Sequence, residues 1–502
     1  MLTTRQSGIL LHPSSLPGPQ PIGTLGQEAY DFVDWLVAAG QSVWQVLPLG
    51  PTGYGNCPYS CYSAFAGNPL LINLQKLVAA GDLQTNKLPP AAAISNKVDF
   101  PAADKQLSLL RLGCIQFAEA ATPERRQKYE QFCREQSYWL NDYCFFEAMR
   151  QMQQKRGWQQ WPQEIRQRQQ SALHKWGMEL QNEIAWHKYL QFVFFEQWFE
   201  LKKYANQKGV KIFGDLPIFI AENSADVWAN RHLFYLDEND LPTLVAGVPP
   251  DYFSEIGQRW GNPLYRWERM AEDDYSWWRA RFRWNLQLFD LIRVDHFRGF
   301  SACWTIPAEE KTAINGKWTT VPGAKLFQRL LDELPELPII AEDLGVITAD
   351  VEQLRDQFNL PGMKILQFAF NSGPSNPYLP HNHLQNSVVY TGTHDNSTSL
   401  AWWRSLDSKS QQRVKDYLKR PCEEMPWTLI ETALASVARL TILPLQDLLG
   451  LDDKSRMNQP GISLGNWQWR ELPQQRNREI TKRLRNVSHL YGRVLCNATE
   501  KQ

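Results

Sequence analysis

Short apolar segments recur along this chain, and most of their positions are apolar instead of alternating with polar ones. Runs of this kind predict strands that are buried on both faces, as in a parallel sheet covered by helices. Eight segments have this character, and they span residues 8–13, 43–49, 210–218, 290–297, 338–345, 363–370, 387–395 and 440–450. The pattern therefore predicts eight buried strands.

Amphipathic helices are predicted between many of these strands. Segment 185–205 leads into the strand at 210, and its apolar residues follow a period close to 3.6 at Trp186, Leu190, Phe194, Trp198 and Leu201. Segment 273–289 begins with two aspartates of helix-capping type and leads into the strand at 290. Eight strands with helical crossovers predict an α/β fold of the (β/α)8 TIM barrel class. A flavodoxin-like or Rossmann sheet is less favoured, because neither needs eight such units.

The length of the chain implies large insertions into such a barrel. The chain has 502 residues, whereas a (β/α)8 barrel typically needs about 250. We expect one catalytic domain over residues 1–502, with a mainly helical subdomain inserted at about 70–185. A second insertion, at about 220–272, is rich in Gly, Pro and aromatic residues, and we interpret it as a lid or substrate loop over the barrel mouth.

Composition limits the classes of partner. Lys and Arg total 53, as do Asp and Glu, so the formal net charge is zero and no binding to nucleic acid is expected. Every apolar run is too short for a membrane span or a signal peptide, which predicts no membrane association. The eight cysteines are scattered, which predicts reduced thiols in a cytoplasmic protein. We expect a monomer or small homo-oligomer.

Charged side chains lie at the carboxyl ends of four predicted strands. They are Asp215, Arg293 with Asp295, Glu342 with Asp343, and His394 with Asp395. In a barrel these strand ends share one face, where the active sites of this fold lie. Any one acidic residue after a strand is usually a helix cap or a loop ion pair, but four such strand ends together predict a catalytic cleft. Glu342 and Asp343 are neighbours, so both cannot point into the barrel mouth.

Two chemistries suit converging carboxylates. Asp215, Asp295 and Glu342 could bind a divalent metal ion. Alternatively, one carboxylate could be the nucleophile and a protonated one the acid of glycoside chemistry. Arg293 lies two residues before Asp295 and hence on the same face of the strand, where its charge would keep Asp295 ionised and would repel a metal ion. The sequence therefore favours sugar chemistry and no metal or other cofactor.

Motifs at these positions resemble those of the 4-α-glucanotransferases, the amylomaltases or disproportionating enzymes related to the α-amylase superfamily. The matching stretches run from residue 8 to about 470 and are GILLHPSSLPG, WQVLPLGPTGYGNCPYSCYSAFAGNPLLI, GDLPIF, PPDYFSEIGQRWGNPLY, RVDHFRGF, AEDLG, YTGTHDN and GNWQWR. Together they are highly specific. The resemblance implies a retaining transfer of α-1,4-glucan segments between maltooligosaccharides, with release or use of glucose and a covalent glycosyl-enzyme intermediate.

The resemblance also implies roles for individual residues. Asp295 would be the nucleophile, Glu342 the general acid and then base, and Asp395 the residue that stabilises the transition state. Arg293 and His394 would orient the nucleophile and contact the same sugar. Seven further residues match positions of the family's substrate cleft: Asp215, Asp251, Gln258, Trp260, Tyr54, Tyr59 and Asn466.

Two alternatives to this activity remain open, and one motif departs from the family pattern. An α-glucan hydrolase would use the same carboxylates, and a non-catalytic glucan-binding protein could keep the same cleft. The usual family motif GYGDSPY is GYGNCPY here, with Asn56 and Cys57 in place of Asp and Ser. Loss of the Ser hydroxyl removes a hydrogen-bonding group, so donor preference is expected to differ from that of other members.

Overall fold

The computed structural model describes residues 3–91, 93–250 and 254–494. In this part of the chain, strands form two sheets, of eight and of four members. The strands are β1 (Gln6–Leu10), β2 (Val43–Gln45), β3 (Lys211–Pro217), β4 (Leu244–Val248), β5 (Gln258–Pro263), β6 (Leu291–Asp295), β7 (Ala302–Pro307), β8 (Lys317–Thr320), β9 (Ile339–Ala341), β10 (Gly362–Ile365), β11 (Ser387–Tyr390) and β12 (Leu440–Pro444).

The eight-stranded sheet is parallel throughout and has the order β10-β11-β12-β1-β2-β3-β6-β9. A hydrogen bond of 2.8 Å from the Ala341 N–H to the Pro361 carbonyl joins β9 to the residue before β10, so the sheet curls back on itself. Each of the eight strands predicted from the apolar runs is present. The (β/α)8 barrel prediction is confirmed.

The eight barrel strands are all shorter than their apolar runs, and three of them show why. The run at 440–450 continues after β12 as a short helix at 445–448, and the run at 363–370 ends in a 3-10 turn over 366–368. The run at 43–49 forms a strand only over 43–45. These residues are still mostly buried. An apolar run therefore reports burial, but it does not distinguish a strand from the buried turn that follows it.

Helices cover the barrel and form much of the chain between β2 and β3. They are α1 (Gln27–Ala38), α2 (Leu74–Ala79), α3 (Phe100–Ala120), α4 (Pro123–Glu135), α5 (Ser137–Met152), α6 (Gln163–Arg166), α7 (Gln170–Glu179), α8 (Gln181–Gln207), α9 (Ala225–Ala229), α10 (Trp267–Glu272), α11 (Ser276–Leu288), α12 (Gly323–Glu333), α13 (Ala349–Gln357), α14 (Ser399–Ser405), α15 (Ser408–Leu418), α16 (Trp427–Ala435), α17 (Leu445–Leu448) and α18 (Arg478–Leu490). Among the described residues, no helix has the length and apolar character that crossing a membrane requires.

The two predicted amphipathic helices correspond to α8 and α11. All five apolar residues named for the first segment are buried in α8. The Asp273 side chain accepts the backbone N–H of Ser276 at the start of α11, as a capping residue does. At the end of α11, the ring of Phe289 packs so closely on β3 that a Cβ at Gly214 would lie 2.2 Å from it. Glycine at 214 thus allows this helix to approach the strand that carries Asp215.

The second sheet is antiparallel and has the order β5-β4-β7-β8. It joins β4 and β5, which precede β6, to β7 and β8, which follow it. The hydrophobic pattern did not predict these strands, because β5 and β8 are largely exposed and lack a continuous apolar run. The division into one domain with two insertions remains a prediction.

Candidate active site

The charged residues at the strand ends meet at one edge of the barrel. In the strand register, Asp215 of β3 is paired with Arg293 of β6, and Asp295 lies two residues further along β6. Glu342 directly follows β9, whose Ala341 pairs with Val294. This register places the three carboxylates at the same end of neighbouring strands, as the barrel predicts.

Arg293 joins two of these carboxylates. Its Nη1 lies 2.6 Å from Oδ2 of Asp215, and its Nη2 lies 2.8 Å from Oδ1 of Asp295. The side chains of Arg293 and Asp215 are 5% and 0% exposed, whereas that of Asp295 is 28% exposed. Asp295 is therefore the partner that can reach a ligand. Burial opposes the charge of Arg293, but the two carboxylates outweigh it and hold its pKa well above the ordinary value.

Tyr59 connects this cluster to the next wall of the cleft. Its hydroxyl donates to Oδ2 of Asp215 at 2.8 Å, and its ring stacks on His394 with centroids 5.1 Å apart and an interplanar angle of 10°. The Trp467 ring lies beside both, with its centroid 6.0 Å from that of Tyr59 and 5.8 Å from that of His394. Burial, followed by Asp215, raises the pKa of Tyr59, so the hydroxyl remains a donor.

Glu342 is held by the backbone. Its Oε2 accepts the N–H of His296 at 2.6 Å, and its Oε1 accepts the N–H of Leu344 at 3.3 Å. His296 has the left-handed backbone conformation, with φ 50° and ψ 50°, which is uncommon for a residue other than glycine. Burial above all, opposed by Arg293 and assisted by Asp295, raises the pKa of Glu342 to about 8. A carboxyl group with this pKa carries a proton at neutral pH and suits a general acid.

Asp343 faces away from this cluster. It accepts from Nη1 of Arg355 at 2.6 Å and from the backbone N–H of Met363 at 2.7 Å. Consecutive residues of an extended chain point to opposite sides, so the structure settles which of the two acidic neighbours faces the cleft. Asp343 links the end of β9 to β10.

Asp395 is positioned by residues from a distant loop. Its Oδ1 lies 3.3 Å from Nε2 of His394 and accepts from Nδ2 of Asn458 at 2.6 Å. Its backbone carbonyl accepts from Nη2 of Arg456 at 2.5 Å. Its side chain is 40% exposed, so it remains open to a ligand. Burial lowers the pKa of His394, which favours the neutral imidazole.

The metal interpretation does not suit this arrangement. The Arg293 guanidinium occupies the space between Asp215 and Asp295, where a shared cation would have to bind. Across the described residues, no group of three or more His, Cys, Asp or Glu side chains is arranged to hold a metal ion. The Arg293 guanidinium therefore takes the place that a metal cation would need between Asp215 and Asp295.

Comparison with known proteins decides the family. The family model described as 4-alpha-glucanotransferase matches residues 11–474. This chain belongs to the 4-alpha-glucanotransferase family. It is 50% identical over 499 residues to the 4-alpha-glucanotransferase of Synechocystis sp. and 47% identical over 499 residues to that of Thermus thermophilus. Each alignment covers 98% of this chain and 99% of the relative.

A solved structure agrees in detail with this 4-alpha-glucanotransferase fold. The amylomaltase from Streptococcus agalactiae in complex with acarbose superimposes with a TM-score of 0.95 and 37% identity, over 98% of this chain and 100% of that one. The expected family is thus confirmed, and the chain is an enzyme that transfers glucan segments. The general mechanism of the family proceeds through a covalent intermediate.

The remaining residues expected in the 4-alpha-glucanotransferase cleft differ in their surroundings. Tyr54 and Trp260 are 73% and 39% exposed, and Trp260 contacts the His296 ring edge-on at 4.8 Å. Gln258 accepts from Nε1 of Trp260 at 3.2 Å. The amide of Asn466 instead bonds within its own loop, to the backbone of Gln459 and Ile462. Asp251 lies outside the described residues.

Sequence reasoning missed three residues of this site. Asn458 and Arg456 hold Asp395, and the His296 backbone N–H holds Glu342. The first two lie in a polar loop before GNWQWR that carries no pattern of its own. The third contributes a backbone group, which no side-chain motif reports. Only its position directly after Asp295 could have drawn attention to it.

Proposed function

We propose that Asp295 is the nucleophile and Glu342 the acid and base of a retaining transfer of α-1,4-glucan segments between maltooligosaccharides. The observation that carries this assignment is the contrast between the two carboxyl groups. Both side chains are partly buried, but Asp295 is paired with Arg293 at 2.8 Å, whereas the pKa of Glu342 is raised to about 8. A carboxyl group that keeps its proton, beside a carboxylate paired with an arginine, suits a retaining glycosidase mechanism.

In the first step, an Asp295 oxygen attacks the anomeric carbon of the donor while Glu342 gives its proton to the glycosidic oxygen. The bond from the anomeric carbon to that oxygen breaks, and the reducing-end fragment leaves as a neutral alcohol. In the second step, the Glu342 carboxylate takes the proton of an acceptor 4-hydroxyl, and the acceptor oxygen displaces Asp295. Each step inverts the anomeric carbon, so the α-linkage is retained.

Asp395 and its neighbours act on the sugar between these two residues. Asn458 and His394 fix the Asp395 carboxylate by contacts of 2.6 Å and 3.3 Å. A fixed carboxylate accepts sugar hydroxyls and stabilises the positive charge that develops at the anomeric centre. Tyr59 contacts both Asp215 and His394, and so it connects the Arg293 cluster to the loop that carries Asp395.

The substrate is proposed to be an α-1,4-glucan, with Tyr54 and Trp260 offering flat apolar faces to glucose rings at the cleft. These two side chains are among the most exposed aromatic residues of the described chain. Their planar surfaces suit the C–H faces of sugars. Asp215, Gln258 and Asn466 stay proposed members of the cleft through the contacts given above, and Asp251 stays a prediction.

A cytoplasmic location and a monomeric or small homo-oligomeric state also remain predictions. The first rests on the cysteines, because the seven described ones are free. Free thiols are usual where the surroundings are reducing.

The decisive experiment is product analysis of the purified protein with maltotriose, following glucose and total reducing ends together. We expect glucose and a ladder of longer glucans at constant reducing ends. Rising reducing ends without the ladder would show an α-glucan hydrolase, and no product at all would leave a glucan-binding protein. A Glu342→Gln variant purified in the same way is the control, and it shows whether the products are formed by this enzyme and not by a contaminant.

A further inference from the structure

A further concave surface is lined by residues other than those of the proposed catalytic set. It is a groove of about 620 Å³ bounded by α5, by α11 and by residues 225–233, which contain α9. Its volume falls in the range of roughly 300–1,000 Å³ that is usual for small-ligand sites. We call it the outer groove.

Aromatic rings form one side of the outer groove. Phe65 contacts Tyr138 at 5.8 Å and Trp277 at 6.0 Å, in both cases at an interplanar angle of 88°. The Trp139 ring also stacks on Phe65, with ring centroids 6.2 Å apart and an interplanar angle of 12°. Tyr138 is 52% exposed, although it is part of this packed cluster. Tyr138 is therefore an exposed ring held against the buried Phe65, which lowers the entropy lost when a ligand binds to it.

Polar groups accompany that ring. Tyr138, His232 and Gln287 line the groove, and their side chains carry a hydroxyl, an imidazole and an amide. They are donors and acceptors available to a ligand. A planar apolar face with hydrogen-bonding groups beside it matches a pyranose ring, which has C–H faces and a hydroxyl edge.

The charges of the outer groove are compensated within the protein. Asp142 is paired with Arg168 at 2.6 Å, and the Asp273 carboxylate accepts from the backbone and hydroxyl of Ser276. Arg283 lies 3.8 Å from Glu333. Among the described lining residues, Asp142 and Arg283 each lie beside a side chain of opposite charge, which disfavours a strongly charged ligand such as a phosphate. The groove instead suits a neutral polyhydroxyl compound.

We propose that the outer groove binds an α-1,4-glucan chain at a distance from the reaction. This inference rests on the proposed function, since the occupant is taken to be the polymer that the enzyme transfers. A chain held at two places has a higher effective concentration at each of them. The groove is therefore expected to favour long glucans, which have more sugar units to occupy a second site, over maltotriose.

The test compares Tyr138→Ala with Met178→Ala, a control on α7 whose side chain is 63% exposed and lies outside the groove. Mobility is measured in native gels with and without glycogen, together with kcat/KM on soluble amylose and on maltotriose. For Tyr138→Ala we expect the dissociation constant for glycogen to be roughly fivefold larger, which is the effect of losing one aromatic contact. The ratio of kcat/KM on amylose to that on maltotriose should fall by a similar factor, and the control should match the wild type.

Each contrary outcome identifies a different failure. If glycogen retards Tyr138→Ala as strongly as the wild type, the outer-groove proposal is wrong. It is also wrong if Tyr138→Ala elutes from gel filtration at a different volume from the wild type, because the groove would then be a contact between subunits. If Tyr138→Ala unfolds, His232→Ala carries the same test with an exposed side chain. A wild-type protein that is retarded through Tyr138 but does not disproportionate maltotriose would instead contradict the proposed function alone.

Discussion

The backbone N–H of His296 donates to Oε2 of Glu342 at 2.6 Å, so the residue that follows the proposed nucleophile holds the proposed acid. His296 can do this because its backbone is left-handed, with φ 50°. The end of β6 thus turns back toward the end of β9. A backbone hydrogen bond thus fixes the Glu342 carboxyl group relative to the end of the strand that carries Asp295.

Asp295→Asn should reduce kcat on maltotriose by about 10⁴-fold or more, because an amide cannot form the glycosyl ester. Binding of maltooligosaccharides should persist, since Arg293 and Asp215 remain paired. Initial rates of glucose release measure the effect. Asp332→Asn, on the exposed surface of α12, is the control and should retain the wild-type rate. A wild-type rate in Asp295→Asn would exclude its role as nucleophile.

Glu342→Gln should lower kcat on maltotriose by about 10²–10⁴-fold, the usual contribution of a general acid. An α-maltosyl fluoride donor should restore the first step, because fluoride leaves without a proton. Release of fluoride in a single turnover measures this rescue. Asp295→Asn should show none, since it lacks the nucleophile. If neither Glu342→Gln nor Asp295→Asn releases fluoride, the proposed difference between an acid and a nucleophile is not supported.

The kcat/KM for maltotriose should fall as pH rises through about 8, the raised pKa of Glu342, because the acid loses its proton there. Burial lowers the pKa of His296 to about 4 and also lowers that of His394. Both imidazoles are then neutral in this range and do not produce the decline. The pH profile of Glu342→Gln should lack this decline at high pH. If the decline persists in that variant, it is caused by another titrating group.

Asp343→Asn should destabilise the protein with little effect on kcat, because its partners are Arg355 and the Met363 N–H and not the cleft. Loss of one partner of a buried ion pair costs about 3 kcal/mol. Asp356→Asn is a matched control, since Asp356 pairs with the same arginine but is 66% exposed. That exposed pair should contribute at most about 1 kcal/mol. Thermal unfolding midpoints and kcat of both variants give the comparison, and a large loss of kcat in Asp343→Asn would contradict it.

The barrel and the edge that carries the site were predictable because both follow from local patterns. Apolar runs mark the eight strands, and a charged residue at the end of a run marks the face where parallel strands end. Arg293 and Asp295 share a face of β6 because strand side chains repeat every two residues. Their proximity could therefore be inferred from spacing alone.

Tertiary structure alone decided the contacts between residues far apart in the chain. It placed Asn458 on Asp395, Tyr59 between Asp215 and His394, and Asp343 on Arg355 instead of in the cleft. It also paired β4 with β7 across the intervening strand β6. Periodicity describes which way a side chain faces on its own element. It carries no information about which distant loop packs against that element, and that packing selects the partners of each carboxylate.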